Sequence, residues 1–281
     1  MTAMRGRTVV VTGATAGIGR VVCERLAAMG ASLALVARDR TRTEALAAAL
    51  ARAGAPQVSV HVGDLSRLSE VRRVAAELAA LPHVEVLLNN AGAIFTRREQ
   101  TADGFERTFA LNHLAYFTLA NLLLDRLKAS APSRVVNVAS EAHRGARLAF
   151  DDLQTVRGYS GWLAYKRSKL CNILFTRALA RRLAGSGVTA NALHPGFVAT
   201  GFGDNNGGVF RFGLGVAKRI AAIPPAEGAK TPIYLVSAPE VADLSGLYFD
   251  RCAVRTPSPA ALDDQSAERL WRESARLAGI A

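Results

Sequence analysis

The sequence predicts one doubly wound α/β domain, with a parallel sheet of seven strands and helices on both faces. Three observations predict it. Short runs rich in Val, Leu and Ala recur along the 281 residues, and stretches of helical length separate them. The runs are apolar throughout instead of alternating, as strands covered on both faces are. No linker or break in composition divides the alternation, so residues 1–281 read as a single domain.

Thr8–Val11 (TVVV) is the first strand, and Ile18–Met29 is the helix after it, ending at Gly30. Ser32–Ala37, Val58–Val62 and Val84–Leu88 are the next strands. Between them lie the helices Arg42–Ala53, broken by Gly54 and Pro56, and Ser66–Ala80, stopped before Pro82. Asp103–Ala129 reads as one long helix, Arg134–Val138 as the fifth strand and Gly161–Ala184 as a helix ending near Gly185 and Gly187. Val188–Leu193, the helix Ala226–Ser237, the short strand Gly246–Phe249 and the helix Ala261–Leu277 complete the chain.

One segment, His194–Pro225, breaks the rhythm with glycines at 196, 201, 203, 207, 208, 213 and 215. A loop of that length in a compact domain is functional or disordered. Phe197, Phe202, Phe210 and Phe212 favour a lid over about residues 194–225 with an apolar inner face. Packing of those rings on the domain, without ligand contact, is the alternative.

Composition excludes several classes. With 50% hydrophobic residues the chain has ample material for a core, which excludes intrinsic disorder. Cys23, Cys171 and Cys252 lie far apart and form no CxxC pair, so neither a disulfide framework nor, with His61, His83, His113, His143 and His194, a zinc site is expected. No apolar run approaches the ~18–20 residues of a membrane span. Met1–Thr8 leaves no room for a signal peptide, and a cytoplasmic protein is expected. The net charge of +12 would attract polyanions or phosphorylated cofactors. The basic residues, mostly Arg, are scattered and form no stripe with aromatics, so nucleic acid is not an expected partner.

The segments carrying chemistry stand at strand ends. Thr12–Gly19 (TGATAGIG) joins the first strand to the first helix. Glycines there let the backbone approach a pyrophosphate, and the helix N-terminus offers free N–H groups and a positive dipole end. A plain turn is the other reading. At the end of the second strand the usual acidic position holds Ala37, and Arg38 follows. An acidic residue there binds a ribose 2′-OH, whereas Arg accommodates a 2′-phosphate, so NADP(H) is preferred. Asp39 would serve NAD(H) if the register moved by two residues. Asp64, after the third strand, suits the adenine amino group or a helix N-cap, a task for which Ser66 competes. Asn89-Asn90-Ala91-Gly92 leaves room for a ribose or forms a simple turn.

Tyr165 and Lys169 are i and i+4 on a predicted helix and share a face. A free phenol is a poor base at neutral pH, and a nearby ammonium would lower its pKa, making Tyr165 an acid/base for an alcohol–carbonyl pair. Ser140, at the end of the fifth strand, offers a hydroxyl to a carbonyl oxygen or a cap. Asn112, inside the long helix, is a candidate for holding a water or for packing.

Taken together, TGATAGIG, NNAG (Asn89–Gly92), Asn112, Ser140, Tyr165-x-x-x-Lys169 and Pro195-Gly196-x-Val198-x-Thr200 resemble the short-chain dehydrogenase/reductase family, in family order over nearly the whole chain. LNHLAYF (Leu111–Phe117), AYKRSKLCNILFTRALARR (Ala164–Arg182) and GVTANALHPG (Gly187–Gly196) are similar to its retinol-dehydrogenase-like branch. The resemblance implies a Rossmann-type fold and hydride transfer between a nicotinamide and a carbonyl or alcohol. It implies Asn112, Ser140, Tyr165 and Lys169 as the catalytic set. Tyr165 would exchange the proton, Ser140 would bind the substrate oxygen and Asn112 would hold a relay water. Cofactor contacts would come from Gly13, Thr15, Ala16, Gly17, Ile18, Gly19, Arg38, Asp64, Leu65, Asn90, Ala91, Gly92, Tyr165, Lys169, Pro195, Gly196, Val198 and Thr200. The expected partner is a small carbonyl or alcohol, lipophilic on the strength of the lid, with no metal. A scaffold or sensor that binds NADPH without turnover is the rival function. The long apolar helices also predict a homo-oligomer, dimer or tetramer.

Overall fold

The computed structural model describes residues 4–196 and 223–280. The strands are β1 (Thr8–Thr12), β2 (Ser32–Ala37), β3 (Val58–Val62), β4 (Val86–Asn89), β5 (Ser133–Val138), β6 (Val188–His194), β7 (Tyr248–Asp250) and β8 (Ala253–Val254). They form one eight-stranded sheet in the order β3-β2-β1-β4-β5-β6-β7-β8. Every pairing is parallel except β7–β8. This is the Rossmann-type sheet expected, with one strand more than the seven predicted. The extra strand follows Arg251 and Cys252, whose φ values of 50° and 60° make a tight reversal, so that Phe249 pairs with Val254. Such a turn normally announces itself by Asn-Gly or Asp-Gly, which this chain lacks at that place.

Helices α1 (Gly17–Ala28), α2 (Arg40–Arg52) and α3 (Leu68–Ala79) connect the first four strands. After α4 (Arg107–Phe109), a π turn at Ala110–Leu114 leads into α5 (Ala115–Leu122) and α6 (Leu124–Ala129). Then come α7 (Gly161–Arg182), α8 (Pro225–Gly228), α9 (Lys230–Ser237) and α10 (Asp264–Ala278). Successive strand residues serve opposite faces. Val9 and Val11 of β1, with Val86 and Leu88 of β4, pack against Val22 and Leu26 of α1 and Leu235 of α9. Val10 and Leu87 pack against Leu119 of α5 and Phe175 and Leu179 of α7.

The predicted helix Asp103–Ala129 is corrected in two ways. Residues 103–106 are not helical: Thr101 N donates to Phe105 O at 2.8 Å, and Gln100 bridges to Glu106. The Glu106 carboxylate then caps the helix start by accepting from Thr108 N and Phe109 N. Further on, the π turn centred on Asn112 and the break at Leu123 divide what periodicity reads as continuous. Asp103 has another task, since its carboxylate accepts from Leu68 N at 2.8 Å at the start of α3. Neither Asp64 nor Ser66 caps that helix, which begins two residues later than predicted.

Candidate active site

Beside β1 the strand order reverses, with β2 on one side and β4 on the other. In open α/β sheets the crevice at such a point receives the ligand. Thr12 Oγ1 accepts from Asn90 N at 2.8 Å and from Ala91 N at 3.0 Å. The Asn90 amide donates to Thr12 O at 2.9 Å. These bonds lock the two strand ends and satisfy a polar residue that would otherwise be costly to bury. A Cβ on Gly13 would stand 2.9 Å from Ala91 Cα, and one on Gly19 would fall inside contact distance of Gly13 O. Only glycine lets the turn, the helix and the NNAG segment close up this far.

The twelve-residue helix α1 starts after Ala16 with no side-chain cap and no acidic residue in its first turn. Its N–H groups and positive end therefore suit a diphosphate. Gly17, Ile18 and Gly19 form that first turn, next to Thr15 and Ala16. Arg38 is exposed just past β2. Asp39 caps α2 by accepting from Arg42 N at 3.0 Å. Asp64 lies half-buried beside buried Leu65, and its carboxylate accepts from both Ser66 N and Ser66 Oγ, at 3.0 and 2.8 Å. Pro195 and Gly196 follow β6. Val198, Thr200 and nearly all of the proposed lid lie outside the described residues.

The second half of the site is built on α7. Its start is wedged against the segment after β4, because a Cβ on Gly161 would overlap Phe95 O and stand 2.9 Å from Thr96 Cα. The Tyr159 hydroxyl donates to that same Phe95 O at 2.7 Å. Tyr165 is 8% exposed and its hydroxyl is hydrogen-bonded to Ser140. The Ser140 Oγ also accepts from Ala142 N at 3.2 Å and caps a short 3-10 turn, Glu141–His143. Lys169 Nζ donates to Val138 O at 2.9 Å and lies 5.7 Å from the Tyr165 ring centroid.

Asn112 stands in the π turn, where its Oδ1 accepts from Ala93 N and its Nδ2 donates to Ala93 O, each at 2.9 Å. Nδ2 also donates to Ser168 Oγ at 3.0 Å. The amide thus pins the segment after Gly92 to α7. Gly92 lies between Asn112 Oδ1 and Lys169 Nζ, which a Cβ there would meet at 3.2 and 3.4 Å. The four residues of the expected catalytic set are thereby gathered at the carboxyl ends of β4 and β5.

The electrostatics differ from the expectation that Lys169 lowers the phenol. Burial pushes Tyr165 up to about 12, opposed by the Ser140 hydrogen bond. Burial also brings Lys169 down to about 7. Desolvation disfavours both charged forms.

Several contributors were not legible in the sequence. The Trp162 ring stacks on Tyr165 at 5.8 Å and 24°, yet is 54% exposed. The Tyr116 ring lies 5.7 Å from Lys169 Nζ. Trp162 was legible only as the residue three before Tyr165, on the same helix face. A buried chain also runs beneath the site, in which Asn89 donates to Asn137, and Asn137 to Thr176, each at 2.9 Å. Among the described residues no group of His, Cys, Asp and Glu is arranged to hold a metal, and no helix is long and apolar enough to cross a membrane.

This geometry defines a dinucleotide-dependent oxidoreductase fold, and residues 7–207 match the model of the short chain dehydrogenase family, to which the chain belongs. It is 43% identical to human (Homo sapiens) retinol dehydrogenase 13 over 98% of this chain and 85% of that protein. A crystal structure of a Mycobacterium paratuberculosis protein matches with a TM-score of 0.81 and 36% identity, covering 100% of this chain and 96% of the other. A structure of a candidate NAD(P)-dependent gluconate 5-dehydrogenase from Beutenbergia cavernae, with NADP bound at low occupancy, matches with a TM-score of 0.72 and 29% identity over 89% of this chain and 96% of the other.

Proposed function

We propose that the protein interconverts a lipophilic carbonyl compound and its alcohol with NADP(H). The observation that carries this reading is the Tyr165–Ser140 hydroxyl pair beside a buried Lys169. When bound, the nicotinamide supplies or accepts the hydride at the reacting carbon. In the reducing direction Ser140 donates a hydrogen bond to the carbonyl oxygen, and the Tyr165 hydroxyl gives that oxygen its proton. Lys169, when protonated, opposes the cost of the phenolate that remains. The Asn112 amide keeps Gly92 and Ala93 against α7, so the cofactor floor and the proton donor stay in register.

The NADP(H) preference is supported by exposed Arg38 and by the use of Asp39 as a helix cap. The NADP in the Beutenbergia structure is in keeping with it. A lipophilic substrate is supported by the exposed Trp162 face beside Tyr165 and by the retinol dehydrogenase relatives. Cytoplasmic residence accords with three free cysteines, since reducing compartments preserve thiols.

NADPH oxidation over a panel from long-chain and aromatic aldehydes to small polar ketones tests the proposal. Turnover of the lipophilic members, lost in Tyr165→Phe while NADPH still binds, is expected. Turnover that survives in Tyr165→Phe, or no turnover across the panel despite NADPH binding, overturns it. Equal dissociation constants for NADP and NAD overturn the cofactor preference.

A further inference from the structure

The turn that carries Ser140 is fastened to the C-terminal part of the chain by a residue the proposed reaction does not use. His143 is 0% exposed. Its Nδ1 lies 2.7 Å from Ser140 O, and its Nε2 accepts from Ser258 N at 3.0 Å. A carbonyl can only accept and a peptide N–H can only donate. One form of the imidazole satisfies both, the neutral ring with its proton on Nδ1.

The surroundings keep it there. The Tyr248 ring packs edge-on at 5.2 Å, and its hydroxyl donates to Glu141 Oε2 at 3.0 Å. Arg144 pairs with Glu141 and donates to Thr256 O at 2.9 Å. The charged and titratable groups around the ring are Glu141 and Arg144 on its own turn, Tyr248 on β7 and His194 on β6, with Asp250 and Arg251 beyond His194. Burial holds the imidazole below its ordinary range, toward the neutral form.

We propose that His143 is the positioning residue of Ser140, holding its carbonyl so that its hydroxyl meets both Tyr165 and the substrate oxygen, and linking that placement to the segment Tyr248–Ser258. Ser140 has extended backbone, with φ −168° and ψ 151°, and its carbonyl and Oγ hang on one Cα. Releasing the carbonyl lets the hydroxyl swing away from Tyr165. Protonation of His143 releases the C-terminal tie, because Nε2 then carries a hydrogen that faces the Ser258 N–H. The inference rests on the carbonyl reaction proposed above.

The test is steady-state carbonyl reduction by the full chain, as wild type, Tyr165→Phe, His143→Ala and His143→Asn, with a melting temperature for each. The Asn amide nitrogen occupies the place of Nδ1, so it keeps the bond to Ser140 O and does not titrate. His143→Ala is expected to lower kcat about tenfold to a hundredfold with KM for NADPH little changed, as displaced catalytic groups do. His143→Asn has no acceptor for the Ser258 N–H, so it should recover part of that kcat, to near the level to which wild type falls in acid, and lack the acid limb that wild type shows below neutral pH. Equal loss in both variants, or an acid limb shared by wild type and His143→Asn, overturns the proposal. An inactive wild type refutes the reaction itself, and this inference with it. An active, Tyr165-dependent wild type with unaffected His143 variants refutes the positioning role alone. Should His143→Ala fail to fold, the pH profiles of wild type and His143→Asn still decide.

Discussion

Thr12 and Asn90 bind each other twice across the reversal in strand order, through Asn90 N to Thr12 Oγ1 at 2.8 Å and Asn90 Nδ2 to Thr12 O at 2.9 Å. Thr12→Val keeps the shape and leaves two peptide N–H groups without their acceptor. A loss of about 1–3 kcal/mol in unfolding free energy is expected, the range for unpaired buried donors. Denaturant titration measures it, and NADPH binding should weaken in parallel. Unchanged stability would mean that water replaces the hydroxyl.

Gly19→Ala places a methyl group against Gly13 O. Backbone cannot give way as a flexible side chain does, so the turn must open. Overpacking of this kind costs about 1–3 kcal/mol. Calorimetric titration with NADPH should show binding weakened at least as strongly as stability, because the displaced groups are those proposed to hold the diphosphate.

Lys169 gives the site a titration near neutrality, since burial brings it to about 7. The ammonium form is the one that favours a phenolate on Tyr165. Carbonyl reduction should therefore be fastest below about 7 and fall as the pH rises and the ammonium is lost. A kcat profile flat across that value would show that Lys169 acts by geometry alone.

His113 is expected to make the fold sensitive to acid. It is buried among Phe109, Phe117 and Phe175, bonds to Ser274 Oγ at 2.8 Å, and is held down to about 4 from an ordinary value of 6.5. Between those values the unfolded chain takes up a proton that the native chain refuses, so stability falls as pH drops from 6.5 and levels off near 4. The contribution is on the order of 3 kcal/mol by the linkage relation. Urea melts of wild type and His113→Leu across this range measure it, and parallel pH dependences would disprove it.

Trp162 offers a flat apolar face beside Tyr165. Trp162→Ala should reduce kcat/KM for aromatic aldehydes by about tenfold or more, the scale of a lost apolar contact. Small polar ketones should be affected far less. Equal losses on both classes would assign the ring to orienting Tyr165.

Much of the sheet could be read from the sequence because continuous Val/Leu/Ala runs have few other uses. The glycines of TGATAGIG and the Tyr165–Lys169 spacing were legible for the same reason, since close approach and a shared helix face leave fixed spacings. Asp103 illustrates what was not. Its cap on α3 joins residues 35 positions apart, which no local pattern encodes. The same holds for the break at Asn112, set by side-chain bonds to Ala93 and Ser168 within a stretch of helical periodicity. His143 and Trp162 depended on which segments the fold brings to the end of β5. The phenol and ammonium energetics depended on burial, which motif spacing does not report.

The contact of Gly161 with Phe95 and Thr96 joins two parts of the molecule that chemistry treats separately. The strand-end segment from Asn90 to Thr96 borders the crevice proposed for the dinucleotide, and the helix it wedges against carries Tyr165, the proposed proton donor, one turn further along. The contact leaves no room for a side chain between them. On the proposed reading, an adjustment of the crevice floor to a bound cofactor would reach the phenol through this contact, so the placing of hydride and proton would share one joint.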